Sequence, residues 1–247
     1  MQLIFLALVL TMLSSSCTGE GGFFDSEPIT VGIVLEDGQT RTTMLSDGLS
    51  ACWEAGDEIA VWALNSAGAP VLEAQRFKAY GLDFGHGFFT STLASPMPED
   101  IYTFHACYPF PESFNGTSVT FTIPDVQDGK VSDGADIMIS YPVLHGPLTP
   151  IVDPDDHSGM SLQMNRMLHQ FRFYIPETES SVIGDNQITK IELTFPKPVA
   201  GTLTYDLDEP SIPVAQVLDK NKITLCLTTP LTITKEQDNI YDYAKFY

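Results

Sequence analysis

Ile101-Tyr102-Thr103-Phe104-His105-Ala106-Cys107-Tyr108 decides the fold. Tyr102, Phe104, Ala106 and Tyr108 fall on one side and Thr103, His105 and Cys107 on the other, the period of two that marks a strand with a buried face. His105 falls on the polar side of that strand. Ser118-Val119-Thr120-Phe121-Thr122-Ile123 alternates in the same way and groups Val119, Phe121 and Ile123. Working outward, the texture repeats in Ile29–Leu35, Glu58–Leu64, Gln170–Ile175, Ile188–Phe195, Gly201–Tyr205 and Lys222–Leu227. The 18 Gly and 17 Pro residues lie between such runs as turn punctuation. No stretch carries a helical period over a convincing length. Many short strands with regular turns predict an all-β chain of sandwich or barrel type, not a parallel α/β sheet.

The 247 residues suffice for one large or two small domains. The segment from His145-Gly146-Pro147 through Asp153-Pro154-Asp155-Asp156-His157-Ser158-Gly159 is rich in Pro, Gly and Asp, and the charge balance changes there. Residues 1–160 hold 4 basic and 21 acidic residues; residues 161–247 hold 8 and 11. This predicts two β-sandwich domains, 28–158 and 159–247. The second is short and ends at Lys245-Phe246-Tyr247 within a strand-like pattern, so it is expected to be truncated or completed by strands from elsewhere. A net charge of −20 argues against nucleic acid, whose phosphates demand Lys and Arg. It fits solubility outside the cell.

The N-terminus has its own logic. An apolar run from Leu3 to Leu13 is followed by Ser14-Ser15-Ser16-Cys17. The run is too short for a stable membrane span, which needs about 20 residues, and it reads as an export signal. The single cysteine after small residues gives a lipoprotein reading: signal peptide 1–16, an acylated (palmitate-bearing) Cys17, and a flexible tether over 17–27 through Thr18-Gly19-Glu20-Gly21-Gly22. The alternative is an ordinary secretory signal cleaved near Ser16; no Lys or Arg precedes Arg41. Of the other cysteines, Cys52 and Cys107 either form a disulfide or join Cys226 as buried free thiols. No CxxC or zinc spacing is present.

No catalytic constellation stands out: there is no GxSxG, no P-loop, no GxGxxG and no HExxH. His86, His105, His145, His157 and His169 are not spaced for a two-ligand helix face. Asp153, Asp155, Asp156 and His157 form an oxygen-rich loop without calcium-loop spacing, which reads as a solvated linker. Asn115-Gly116-Thr117 reads as a turn. Trp53 and Trp62 are either core residues or a platform for stacking sugars. The expectation is a protein without enzymatic activity, metal or cofactor.

Asp37-Gly38-Gln39-Thr40-Arg41-Thr42-Thr43, followed by Cys52-Trp53-Glu54-Ala55-Gly56-Asp57-Glu58-Ile59-Ala60-Val61-Trp62, resembles the fimbrillin-like proteins of Bacteroidetes, in which a "TR-T" stretch precedes "W-x-x-GD-x-I-x-V". Tyr108-Pro109, Asp133-Gly134-Ala135-Asp136-Ile137-Met138 and Leu168-His169-Gln170-Phe171-Arg172-Phe173 also resemble that family, and the likeness spans roughly residues 28–205. Local physics gives the main motif a structural role. Gly56 suits a positive φ in a tight turn, Asp57 caps that turn with its carboxylate, Ile59 and Val61 lead into a strand, and Trp53 covers the core edge.

The resemblance implies two tandem transthyretin-like β-sandwich domains on an outer-membrane lipoprotein at the cell surface. It implies proteolytic maturation after an arginine, for which Arg41 is the candidate, and assembly into a fimbrium with other fimbrial subunits by donor-strand pairing. As stalk, anchor or tip, such a subunit would also meet host or microbial surface ligands. The competing expectation is a surface glycan-binding lipoprotein.

Overall fold

The computed structural model describes residues 27–36, 43–44, 51–53, 55–83, 86–128, 135–153, 159–169, 171–173, 187–232 and 244–246. Among them there are strands and turns and no helix. Eight strands form the principal sheet: β1 (Ile29–Glu36), β4 (Glu58–Leu64), β5 (Pro70–Asp83), β6 (His86–Leu93), β7 (Tyr102–Tyr108), β11 (Met138–Ser140), β12 (Val143–His145) and β13 (Met160–Arg166). Their order is β11-β13-β1-β6-β5-β4-β7-β12. The short β11 also pairs with β7, through Met138–Tyr108 and Ile139–Cys107. Seven strands thereby close into a ring. The far edge of β7 is shared between β12, against Tyr102–Phe104, and β11, against Cys107 and Tyr108. Within the ring only the β1–β13 contact is parallel. Closure satisfies backbone groups that an open sheet would leave at its edges.

A second layer covers one side of the ring. It contains the four-stranded sheet β17-β16-β9-β8, built from β8 (Ser113–Asn115), β9 (Ser118–Ile123), β16 (Ala200–Asp206) and β17 (Ala215–Lys220). Beside it lies β10-β18-β15, from β10 (Val126–Gln127), β15 (Gln187–Thr194) and β18 (Lys222–Thr232). Two small pairs complete the set: β2 (Thr43–Met44) with β3 (Ala51–Cys52), and β14 (Phe171–Phe173) with β19 (Ala244–Phe246).

The sandwich has two cores because β4 and β7 bury both of their faces. Ile59, Val61 and Ala63 enter the ring interior beside Tyr102, Phe104, Ala106 and Tyr108. Ala60, Trp62 and Cys107 face the other way, onto Val119, Phe121 and Ile123 of β9, Leu203 and Tyr205 of β16, and Ile223 and Leu225 of β18. The alternation of β7 is therefore as the sequence predicts, but its polar side is not at the surface. His105 is fully buried there, its Nδ1–H donating to the Leu207 carbonyl at 3.1 Å.

Trp53 and Trp62 are 4% and 0% exposed, so neither offers a sugar-stacking face. Cys107 is a free, buried thiol, which removes the Cys52–Cys107 disulfide, and Cys226 is exposed rather than buried. The boundary at 158/159 falls between β12 and β13, and pairings cross it. The ring seats β13 between β11 and β1, and β16 runs against β9 from Gly201–Ile123 to Asp206–Ser118.

Candidate functional site

The site is the seat of β1. Val31, Ile33 and Leu35 alternate along the strand and all three are fully buried in the ring. Burying a side chain of this size contributes about 1.5–3 kcal/mol, so the strand is firmly held. On one side it runs antiparallel to β6 over Ile29–Leu35. On the other, its second half lies parallel to β13 from Ile33–Met160 to Glu36–Gln163. Its first half is met by the segment after β12: Val31 bridges Pro150, and the Ile151 N–H donates to the Thr30 carbonyl at 2.8 Å. Removing β1 would therefore open the ring between β6 and β13.

Trp53 plugs the end of this seat. Its ring meets Phe89 edge-on (centroids 5.1 Å apart) and Tyr108 likewise (5.3 Å). It lies directly on Gly87, the partner of Leu35 at the end of β1. A Cβ on Gly87 would stand 2.5 Å from the indole Cδ1, so only glycine leaves room. Gly56 takes φ +99° in the turn that follows, a conformation that costs other residues more. The Asp57 carbonyl accepts the Ala79 N–H at 2.9 Å, and its carboxylate accepts the Tyr108 hydroxyl at 3.3 Å. The three motif residues thus tie the start of β4 to β5 and to the end of β7, beside the β1 seat.

The strand that closes the ring is locked by a pair of which sequence reading names only one member, Asp136, and that within a family-like segment rather than as a charge partner. Asp136, fully buried, accepts Arg166 Nε at 2.5 Å and its Nη2 at 2.7 Å. This two-pronged geometry joins the lead-in of β11 to the end of β13. The Ser140 hydroxyl oxygen accepts the Ala106 N–H at 2.8 Å where β11 meets β7. The signal for the pair is a lone acid inside the apolar run Ala135–Ile139; its partner is 30 residues away and no local spacing points to it.

Cys17 and Arg41 lie outside the described residues, as do Asp155, Asp156 and His157. Among the described residues no cluster of three His, Cys, Asp or Glu could hold a metal ion. What the arrangement offers is a strand seat: paired on both sides, apolar within and closed at one end.

The model of the family described as fimbrillin-like matches residues 40–240, a range that takes in the Trp53 motif and the closing pair, while β1 at Ile29–Glu36 lies before it. The chain belongs to the fimbrillin-like family. Two solved structures share the fold of this fimbrillin-like chain. One is a candidate cell adhesion protein from Bacteroides uniformis (TM-score 0.50, 16% identity, 79% of this chain and 69% of that one). The other is a candidate cell adhesion protein from Bacteroides ovatus (TM-score 0.51, 10% identity, 90% of this chain and 77% of that one). The fimbrillin-like chain matches no curated protein.

Proposed function

We propose that this fimbrillin-like chain is a structural or adhesive subunit of a cell-surface fimbrium that assembles by exchanging β1 for a strand of a neighbouring subunit. The observation that carries the reading is the seat itself. The strand is the first among the described residues and has partners on both sides, and Arg41 follows five residues after its last residue, Glu36. Cleavage there would cut the covalent link between β1 and the ring. A vacated seat would present unpaired N–H and C=O groups on β6 and β13 over an exposed apolar interior, and a donor strand satisfies both at once. In this reading Cys17 carries the acyl anchor at the outer membrane. The two similar structures are described as candidate cell adhesion proteins, which supports an adhesive role, and host or microbial surface ligands are the partners this reading expects.

The test uses the purified full-length chain. Digestion with an Arg-specific protease, with the cut mapped to Arg41, is expected to produce ladders that survive on unboiled denaturing gels. Monomers alone after that cut would reject strand exchange. In cells, Cys17→Ser is expected to move the protein out of the membrane fraction; retention there would reject the lipid anchor.

A further inference from the structure

The outward side of β1 carries a constraint of its own. Gly32 and Val34 face away from the ring interior, and Val34 pairs with Phe88 of β6. The Phe88 ring reaches diagonally across the space that a side chain on Gly32 would fill. A Cβ there would stand 2.5 Å from Phe88 Cζ and 2.8 Å from Ile151 Cδ1. Phe88 is 3% exposed and Tyr80 packs edge-on against it, with centroids 6.3 Å apart, so the ring has little space to retreat. A second glycine tightens the same crossing: a Cβ on Gly159 would be 2.9 Å from the Gly32 carbonyl oxygen. The backbone of Gly32 is not in the left-handed region, so the need is for room rather than conformational freedom.

We infer that the seat of β1 selects its occupant by a glycine under Phe88, accepting only a strand with the pattern aliphatic-Gly-aliphatic-any-aliphatic, as in Val31-Gly32-Ile33-Val34-Leu35. The inference rests on the strand-exchange reading and names the chemistry of the incoming strand: an extended segment of another subunit with that spacing. The glycine also fixes register. A slip of one residue turns the aliphatic side chains out of the ring. A slip of two keeps the faces but brings a branched residue, Thr30 or Val34 in the native sequence, under Phe88. Only one alignment satisfies both the interior and the ring of Phe88.

The test offers the Arg41-cleaved full-length protein two fluorescent peptides, Pro28–Glu36 and the same peptide with Gly32→Leu. Overfilling a packed site is expected to weaken binding of the leucine peptide about tenfold or more. In protein carrying Phe88→Ala together with Ile151→Ala, which removes both side chains that crowd the site, the two peptides are expected to bind within about threefold of each other. Equal binding to the unaltered protein would overturn the glycine filter and leave exchange standing. Uptake of neither peptide would overturn exchange and the filter with it. The uncleaved chain gives an independent readout. Gly32→Leu is expected to lower the melting temperature, and Gly32→Leu with Phe88→Ala is expected to melt higher than the two single losses added together. Unchanged melting of Gly32→Leu would refute the packing argument whatever the peptides do.

Discussion

His105 sits between the two layers with its protonation state set by burial. Its Nδ1–H is spent on the Leu207 carbonyl, which leaves Nε2 as a lone pair 3.3 Å from Asp208 Oδ1. Burial is the largest influence and lowers its pKa. The Asp208 and Asp206 carboxylates and the Leu207 carbonyl push the other way, and burial wins. The unfolded chain therefore takes up this proton more readily than the folded one. By linkage, the stability held by neutral His105 is intact above the unfolded value of about 6.5 and is lost as pH falls from there through the lowered folded value. His105→Gln is expected to flatten the fall in urea midpoint between pH 7 and pH 5. An equally steep fall in the variant would exclude His105 as its source. The sequence placed His105 on the polar side of β7, and the alternation is right. Alternation reports one face at a time, however, and cannot say that a second sheet covers the other. Trp53, Gly56 and Asp57 were easier to find because turn and strand start are adjacent in the chain.

At the scale of elements, β7 and β9 were legible because each keeps an unbroken period, and β4 because it is a short, continuous apolar run bounded by turn residues. The long β5 was not. It begins at Pro70, and its pairing with β4 shifts register between Val61 and Ala63, with Ala74 at φ +47° nearby. The bulge breaks the alternation that sequence reading relies on. The parallel contact between β1 and β13 was equally hidden, since it joins strands more than a hundred residues apart. The closing strand β11 has only three residues and depends on the buried Asp136–Arg166 pair. Removing one partner of such a pair leaves the other charge buried and costs about 3–5 kcal/mol, while replacing both with apolar residues is often neutral or stabilising. Asp136→Ala is therefore expected to lower the unfolding free energy by roughly that amount. Asp136→Leu with Arg166→Met should recover most of it. A double variant as unstable as the single would mean that β11 needs the charges themselves and not merely a filled space.

The whole molecule is held together by pairings between distant parts of the chain. Charge and composition divide it near 158/159, but backbone pairing does not respect that division. The strand just beyond it, β13, completes the ring, and β16 extends the sheet begun by β8 and β9. The second core takes Trp62 and Cys107 from before the division and Leu203, Tyr205 and Leu225 from after it. Splitting the chain there would strip β1 of its parallel neighbour and expose the outer faces of β4 and β7. The apolar area lost would far outweigh the relief of separating two acidic pieces, whose mutual repulsion is screened beyond about 8 Å at physiological salt. A single engineered protease site introduced between Asp153 and Gly159 tests this directly. After complete cleavage the two fragments are expected to co-elute at the mass of the intact chain and to melt in one transition. Fragments that separate without denaturant, each retaining its own sheet signal, would mean that the contacts across the division are too weak to weld the layers.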